Sequence, residues 1–301
     1  MRERKTAVKK KYDFLAILVF CFLVLYVISL VALYLWSFGT SLKTPSQFSK
    51  DILGWPNDLP WNWAWYNYTD AISLIEVEVV LPHYRGPVYF DTMLFNSALY
   101  TIGGTLVNNL TTWLIAYLIT RFSKYKFSKI MYTLNIALMT IPIIGNLPSA
   151  LAIFNALGWY DSYWFIVFNN LGFTGMYLLY YCAFIGGLGN EYYEAAYIDG
   201  AGNWTCMLKI AFPLTMQMFT VIFLLGAITR WNDYMTMLIW MPNYPTLSYG
   251  IYKACTTTVT RLSFLPTQMA ICFVLMIPML ILFFLFQDAI MGNLRLGAIK
   301  G

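Results

Sequence analysis

The sequence predicts an all-α, polytopic membrane protein of six spans, folded as a single transmembrane domain over 1–301. Three observations carry this expectation. Of the 301 residues, 59% are hydrophobic and 11% charged, with a mean hydropathy of +0.61, a balance too apolar for a soluble domain. Six runs, near 14–36, 92–119, 130–155, 163–188, 214–240 and 267–290, are of the length that crosses a hydrocarbon layer, roughly 20 residues. The basic residues, finally, sort to one side once the spans are drawn.

The first span follows Arg2, Arg4, Lys5, Lys9, Lys10 and Lys11. Its apolar run is too long for the core of a signal peptide and lacks a small-x-small cleavage site, so it is expected to be retained. With the N-terminus in the cytoplasm, Arg121, Lys124, Lys126, Lys129, Lys209, Arg295 and Lys300 lie there too. Lys43, Lys50, Arg85, Lys253 and Arg261 fall outside, and Arg230 falls within the fifth span. This bias follows the positive-inside rule and puts both termini in the cytoplasm. The net charge of +5 is thus mostly topological, and nucleic acid is not implied.

Between the first two spans, 44–91 holds Pro45, Pro56, Pro60, Pro82 and Pro87 with Trp55, Trp61, Trp63 and Trp65. It reads as an ordered extracellular loop that can serve both as an interfacial aromatic belt and as an acidic surface for an extracellular partner. The Arg121–Lys129 connection reads as an orientation signal beside anionic lipid. Gly103-Gly104, Gly172 with Gly175, and Gly186-Gly187 read as helix-packing positions. Cys21, Cys182, Cys206, Cys255 and Cys272 show no paired spacing, and His83 has no ligand-spaced companion. Neither a disulfide framework nor a metal site is expected. The chain contains no G-x4-G-K-[ST], G-x-S-x-G, H-E-x-x-H or C-x-x-C, so an ATPase or intramembrane enzyme has no motif to rest on.

Residues 188–213 must leave the bilayer, because Glu191, Glu194, Asp199 and Lys209 would each cost several kcal/mol in lipid. Asn190 is a candidate N-cap, and Glu191 and Glu194 suit the positive end of a helix. Ala195 and Ala196 favour helix and keep one face low. Gly200 permits a backbone turn that other residues resist, and Pro213 is expected to limit a second helix on its way back to the membrane. The pattern is E-A-A over Glu194, Ala195 and Ala196, then Gly200 within Asp199-Gly200-Ala201, then Ile210-x-Phe212-Pro213. It resembles the cytoplasmic loop of membrane subunits of binding-protein-dependent ABC importers. Two departures stand out: Gly189 and Gln217 occupy positions where the family often has proline.

The resemblance covers most of 92–301. Asn96-Ser97, Trp231-Asn232-Asp233 and the tail Gly292 to Gly301 look like the carbohydrate-uptake branch, most like the shorter permease of maltose-type importers. It implies a type I permease fold, with a core over 92–291 and a coupling loop at 189–213 that docks on an ATP-binding subunit. It also implies a tail at 292–301 whose Gly297, Ala298, Lys300 and Gly301 reach the ATPase interface. The implied partners are a second, non-identical permease, two ATP-binding subunits that hold ATP and Mg, an extracellular solute-binding protein and membrane lipid. This chain itself is expected to bind no cofactor, to work as a multi-pass subunit of the plasma membrane and to carry oligosaccharides.

Arg230 and Asp233 stand three residues apart in the fifth span, so they are expected to share a helix face and to pair. With Trp231 and Asn232 they form a candidate substrate path, since intramembrane charge faces a bundle interior or a wet cavity. Asn108, Asn109 and Asn146 are further intramembrane polar positions; a structural role competes at every one of them. An ion- or proton-coupled secondary carrier using Asp233 and Arg230, or a non-transporting membrane scaffold, are the alternative readings.

Overall fold

The computed structural model describes residues 14–81, 83–141, 145–256 and 261–297, the last ten by backbone alone. The basic N-terminal residues and, in the tail, Ala298, Lys300 and Gly301 lie outside this range; Gly297 is the last residue of the final helix. Among the described residues four helices are long and apolar enough to cross a membrane, at Leu15–Ser41, Phe90–Arg121, Asn203–Trp231 and Leu265–Gln287. They belong to α1 (Phe14–Ser41), α4 with α5 (Phe90–Ala98, Gly104–Arg121), α11 with α12 (Asn203–Thr205, Phe212–Trp231) and α15 (Leu265–Gly297). A π turn, Leu99–Gly103, joins α4 to α5, and another, Cys206–Ala211, joins α11 to α12.

The other two expected runs are not continuous helices. The third divides into α6 (Lys126–Thr140) and α7 (Leu147–Ala156), and the fourth into α8 (Trp164–Phe168) and α9 (Met176–Gly186). The fifth stops at Trp231, with α13 (Met235–Trp240) as a separate turn beyond it. Gly172 and Gly175 therefore sit in a break between helices, where Gly175 adopts φ +127°; Gly172 is still a close-packing position, since a Cβ there would lie 2.6 Å from the Asn108 carbonyl oxygen of α5. Side chains fill the bonds this break leaves open. Thr111 Oγ1 accepts from Gly172 N–H at 2.8 Å and Thr112 Oγ1 donates to Gly172 O at 3.1 Å. Asn135, on α6, accepts from Gly175 N–H at 2.6 Å and reaches Gly175 O at 3.4 Å.

The 44–91 segment is more regular than its composition suggests. It contains α2 (Pro45–Lys50), α3 (Tyr66–Ser73) and an antiparallel hairpin of β1 (Glu76–Leu81) and β2 (Tyr84–Tyr89), the one β element of an otherwise helical chain among the described residues. A capping box of Thr44 and Gln47 starts α2. In β1, Val77 and Val79 are buried while Glu76, Glu78 and Val80 face out, the alternation of a half-buried strand. The indole N–H groups of Trp36, Trp63 and Trp65 donate to the carbonyls of Ile52, Asp58 and Pro60 at 2.7–2.9 Å. These rings thus act first as internal staples. Buried Asn67 ties α3 to the end of α1 through Ser41 O and Lys43 O, at 2.8 and 2.9 Å, and accepts from Thr267 of α15 at 3.3 Å.

Two apolar clusters divide the bundle. One gathers the hairpin with Tyr100, Phe165, Trp231, Met237 and Leu247. The other gathers Trp113, Tyr117, Tyr181, Tyr193, Met207 and Phe219. Along the first π turn and α5, between Tyr100 and Trp113, lie buried Thr101, Thr105, Asn109 and Thr112. A polar layer therefore separates the clusters. Asn109 ties it to the second cluster, accepting from Tyr181 Oη at 2.6 Å and donating to Phe219 O at 2.9 Å.

Asn135→Ala strips both partners from Gly175 and should destabilise the protein by roughly 2 kcal/mol or more. Thermal unfolding in detergent checks this, with Leu134→Ala on the exposed face of α6 as the comparison, expected to shift the midpoint far less.

Candidate functional site

The segment after α9 forms α10 (Asn190–Ile198), a turn, and the π-turned start of the fifth helix. Its two faces differ. Tyr193 is buried at 3% exposure, and Ala196, Ala201 and Ile210 pack beside it against the second apolar cluster. Glu191, Glu194, Ala195, Asp199 and Gly200 are exposed, and Ile198 and Trp204 stand out at 87% and 73% exposure. The end of α10 is a Schellman motif: Ala201 N–H bonds Ala196 O at 2.9 Å and Gly200 N–H bonds Tyr197 O at 3.1 Å. Gly200 sits at φ +79° with open space around the position of a Cβ. Its requirement is therefore conformational and not steric.

Two local expectations change. Asn190 is not the N-cap; Gly189 is, without a side-chain cap bond, and Asn190 Oδ1 instead accepts from Arg121 at 3.1 Å. A charged donor from α5 has won the side chain over the local amide. The same guanidinium lies over the Tyr193 ring, 4.2 Å from its centroid, a favourable cation–π distance. Burial pushes the Tyr193 phenol above its ordinary range, and the guanidinium offsets part of that shift. Pro213 does not limit a helix either. It stands at the second position of α12 directly after the π turn, and the wider turn accommodates the ring and the missing N–H in an otherwise continuous helix.

The polar layer holds the second site. Arg230 and Asp233 do not pair, because α12 ends at Trp231 and Asp233 lies beyond it. Arg230 Nε donates to Asn170 Oδ1 at 2.8 Å. Asp233 accepts from Tyr100 Oη at 3.2 Å and from Thr236 N–H at 3.0 Å. Gly104 and Gly226 make room for the guanidinium, since a Cβ on either would lie within 3.3 Å of it. The hydroxyls of Thr101 and Thr105 are buried with no partner among the described residues. Trp231 donates to Leu275 O at 3.0 Å, buried in the first cluster, while Asn232 is exposed and bonds its own helix at Ile228 O.

The remaining candidates scatter. Asn108 is half-buried on α5, its carbonyl accepting from Thr111. Asn146 is exposed at the start of α7, its carbonyl accepting from Ala150 N–H and Ser149 Oγ. Neither joins the Arg230 cluster. Asn170, Tyr100, Thr101 and Thr105, which do surround it, were not singled out by sequence; Asn170, a polar residue in an apolar run beside glycines, was the visible signal.

Residues 108–295, well over half of the chain, match the family described as the binding-protein-dependent transport system inner membrane component. The melibiose/raffinose/stachyose import permease protein MelC of Bacillus subtilis is 25% identical over 87% of this chain and 88% of its own length. The diacetylchitobiose uptake system permease protein NgcG of Streptomyces coelicolor is 22% identical over 92% and 87%, and the sulfoquinovosyl glycerol transport system permease protein SmoH of Agrobacterium fabrum 25% over 89% and 88%. Among solved structures, a chain of a bacterial ABC transporter involved in the import of the acidic polysaccharide alginate superposes with a TM-score of 0.75 at 16% identity, over 94% of this chain and 99% of that one. The shared fold and the extent of the family match place this chain among the binding-protein-dependent transport system inner membrane components, the family to which it belongs.

Proposed function

We propose that this chain forms half of the pore of an ATP-driven importer for oligosaccharides or related glycosides, with α10 as its coupling helix. As a permease of its family it is not itself a catalyst; ATP is hydrolysed by separate subunits. Its partners in this reading are a second, different permease, two ATP-binding subunits and an extracellular binding protein. Both termini, α10 and the tail from Gly292 lie in the cytoplasm, and the β1–β2 hairpin faces outward across the plasma membrane. The observation that carries the reading is the two-sidedness of α10. Its inner face is fixed to the bundle through Tyr193 and Arg121, while Glu191, Glu194, Ala195 and Ile198 are bare and available to a second protein.

A rigid helix so anchored transmits a push from closing ATPases to α5, α9 and α12 and shifts the bundle between two arrangements. Glu194, Ala195, Ala196, Asp199, Gly200 and Ala201 then serve the interface directly, and Ile210 and Pro213 set the path from it into α12. A sugar suits the polar layer, because its hydroxyls can accept from Arg230 and donate to Asp233. The relatives named for melibiose, raffinose and stachyose, diacetylchitobiose and sulfoquinovosyl glycerol all have sugar-bearing cargo, which supports that class. The family match and the sugar-import permeases among the relatives favour the importer over the secondary-carrier alternative.

In the reconstituted importer, Gly200→Val should release ATP hydrolysis from uptake while assembly persists, because a β-branched residue resists positive φ by roughly 1–2 kcal/mol. Gly200→Asn should keep most coupling; uptake by the valine variant equal to wild type would remove the coupling role. For the polar layer, Arg230→Met should raise the apparent KM for sugar roughly tenfold or more, the worth of one charge-assisted hydrogen bond, leaving basal ATPase rate unchanged. An unaltered KM in transport assays would return Arg230 to a packing role.

A further inference from the structure

A cavity of about 780 Å³ opens at the α10 end of the bundle, walled by α5, α6, α9 and α10. Arg121, Ser128, Lys129 and Tyr193 supply its polar lining, and Leu179 and Ile185 lie on its apolar side. Among the described residues neither Arg121 nor Lys129 has a carboxylate within ion-pairing distance. Arg121 lays its guanidinium face on the Tyr193 ring and gives one N–H to Asn190. A guanidinium carries five N–H donors, and the rest of its edge finds no acceptor among the described residues. The hydroxyl of Tyr193, a lining residue, is likewise buried and has no partner among the described residues. Unpaired cations beside an unsatisfied donor describe a site that lacks an acceptor-rich anion. On the same side of α6 as Lys129, Tyr132, Ile136 and Met139 are exposed, a surface suited to an acyl chain.

We propose that this cavity binds the phosphate of an anionic phospholipid headgroup, with the Arg121 edge and the Lys129 ammonium on the phosphate oxygens and the acyl chains along α6. A soluble phosphate anion shares the headgroup chemistry but not the apolar wall. Because Asn190 and Tyr193 belong to α10, an occupied cavity steadies that helix. This consequence rests on the coupling role proposed above, whereas the binding does not.

The test uses the purified importer assembly in nanodiscs of phosphatidylcholine with or without phosphatidylglycerol, followed by native mass spectrometry of retained lipid. Wild type should retain phosphatidylglycerol over phosphatidylcholine, and Lys129→Gln, an exposed residue with no structural bond to lose, should cut retention roughly fivefold. Arg121→Gln should cut it further. Lys209→Gln, an exposed cytoplasmic lysine outside the cavity, should leave it unchanged. Displacement of the lipid by inorganic phosphate supports the anion site and assigns it to a soluble occupant. Equal retention in Lys129→Gln and wild type, or equal loss in Lys209→Gln, overturns the proposal. The readout is lipid retention, so failure of coupling in transport assays leaves it independent.

Discussion

Inside a bilayer no water rescues an unpaired backbone group, and the rest of this structure follows from how that demand is met where the chain departs from helix. The break between α8 and α9 is possible only because Thr111, Thr112 and Asn135 stand in for missing helical bonds at Gly172 and Gly175. Each stand-in comes from a different helix than the group it serves. The break therefore fastens α5 and α6 to the strand of chain between α8 and α9, and irregular backbone becomes a cross-brace.

The same economy explains the layered interior. Apolar clusters at either end of the bundle hold the helices by close packing, and the polar side chains needed for bracing collect between them, around Asn109, Thr112, Asn170 and Arg230. Small residues are placed where bulk would displace those groups, as Gly104 and Gly226 are beside the Arg230 guanidinium. A polar stratum held between two packed ends can change shape at lower cost than either end, since hydrogen bonds there exchange partners where interdigitated side chains would have to unpack. The two π turns fall at its boundary with the first cluster, at Tyr100, and within the second, at Cys206 and Met207.

Much of this was legible in the sequence, and the failures share one cause. Composition and run length gave the membrane class and the helical fold, and the E-A-A pattern with Gly200 marked the exposed loop. What escaped was everything decided by partners distant in sequence. Asn190 looks like a cap until Arg121 takes its oxygen; Arg230 and Asp233 look like a pair until the helix ends between them and Asn170 and Tyr100 claim one each. Apolar runs 130–155 and 163–188 look continuous because hydropathy does not register which backbone groups a neighbouring threonine will satisfy. The hairpin was readable, since Glu76-Val-Glu-Val-Val alternates, but Pro- and Trp-rich flanks drowned a six-residue signal.

The Schellman stop after α10 has a consequence for how such a subunit changes over generations. Its geometry is written by one positive φ and two main-chain bonds, Ala201 to Ala196 and Gly200 to Tyr197, and owes nothing to the outward side chains. Glu191, Glu194, Ile198 and Trp204 can therefore be exchanged without altering where the helix points. Pose and address are separable: lineages can alter what the exposed side chains present while the helix that carries them keeps its length and angle.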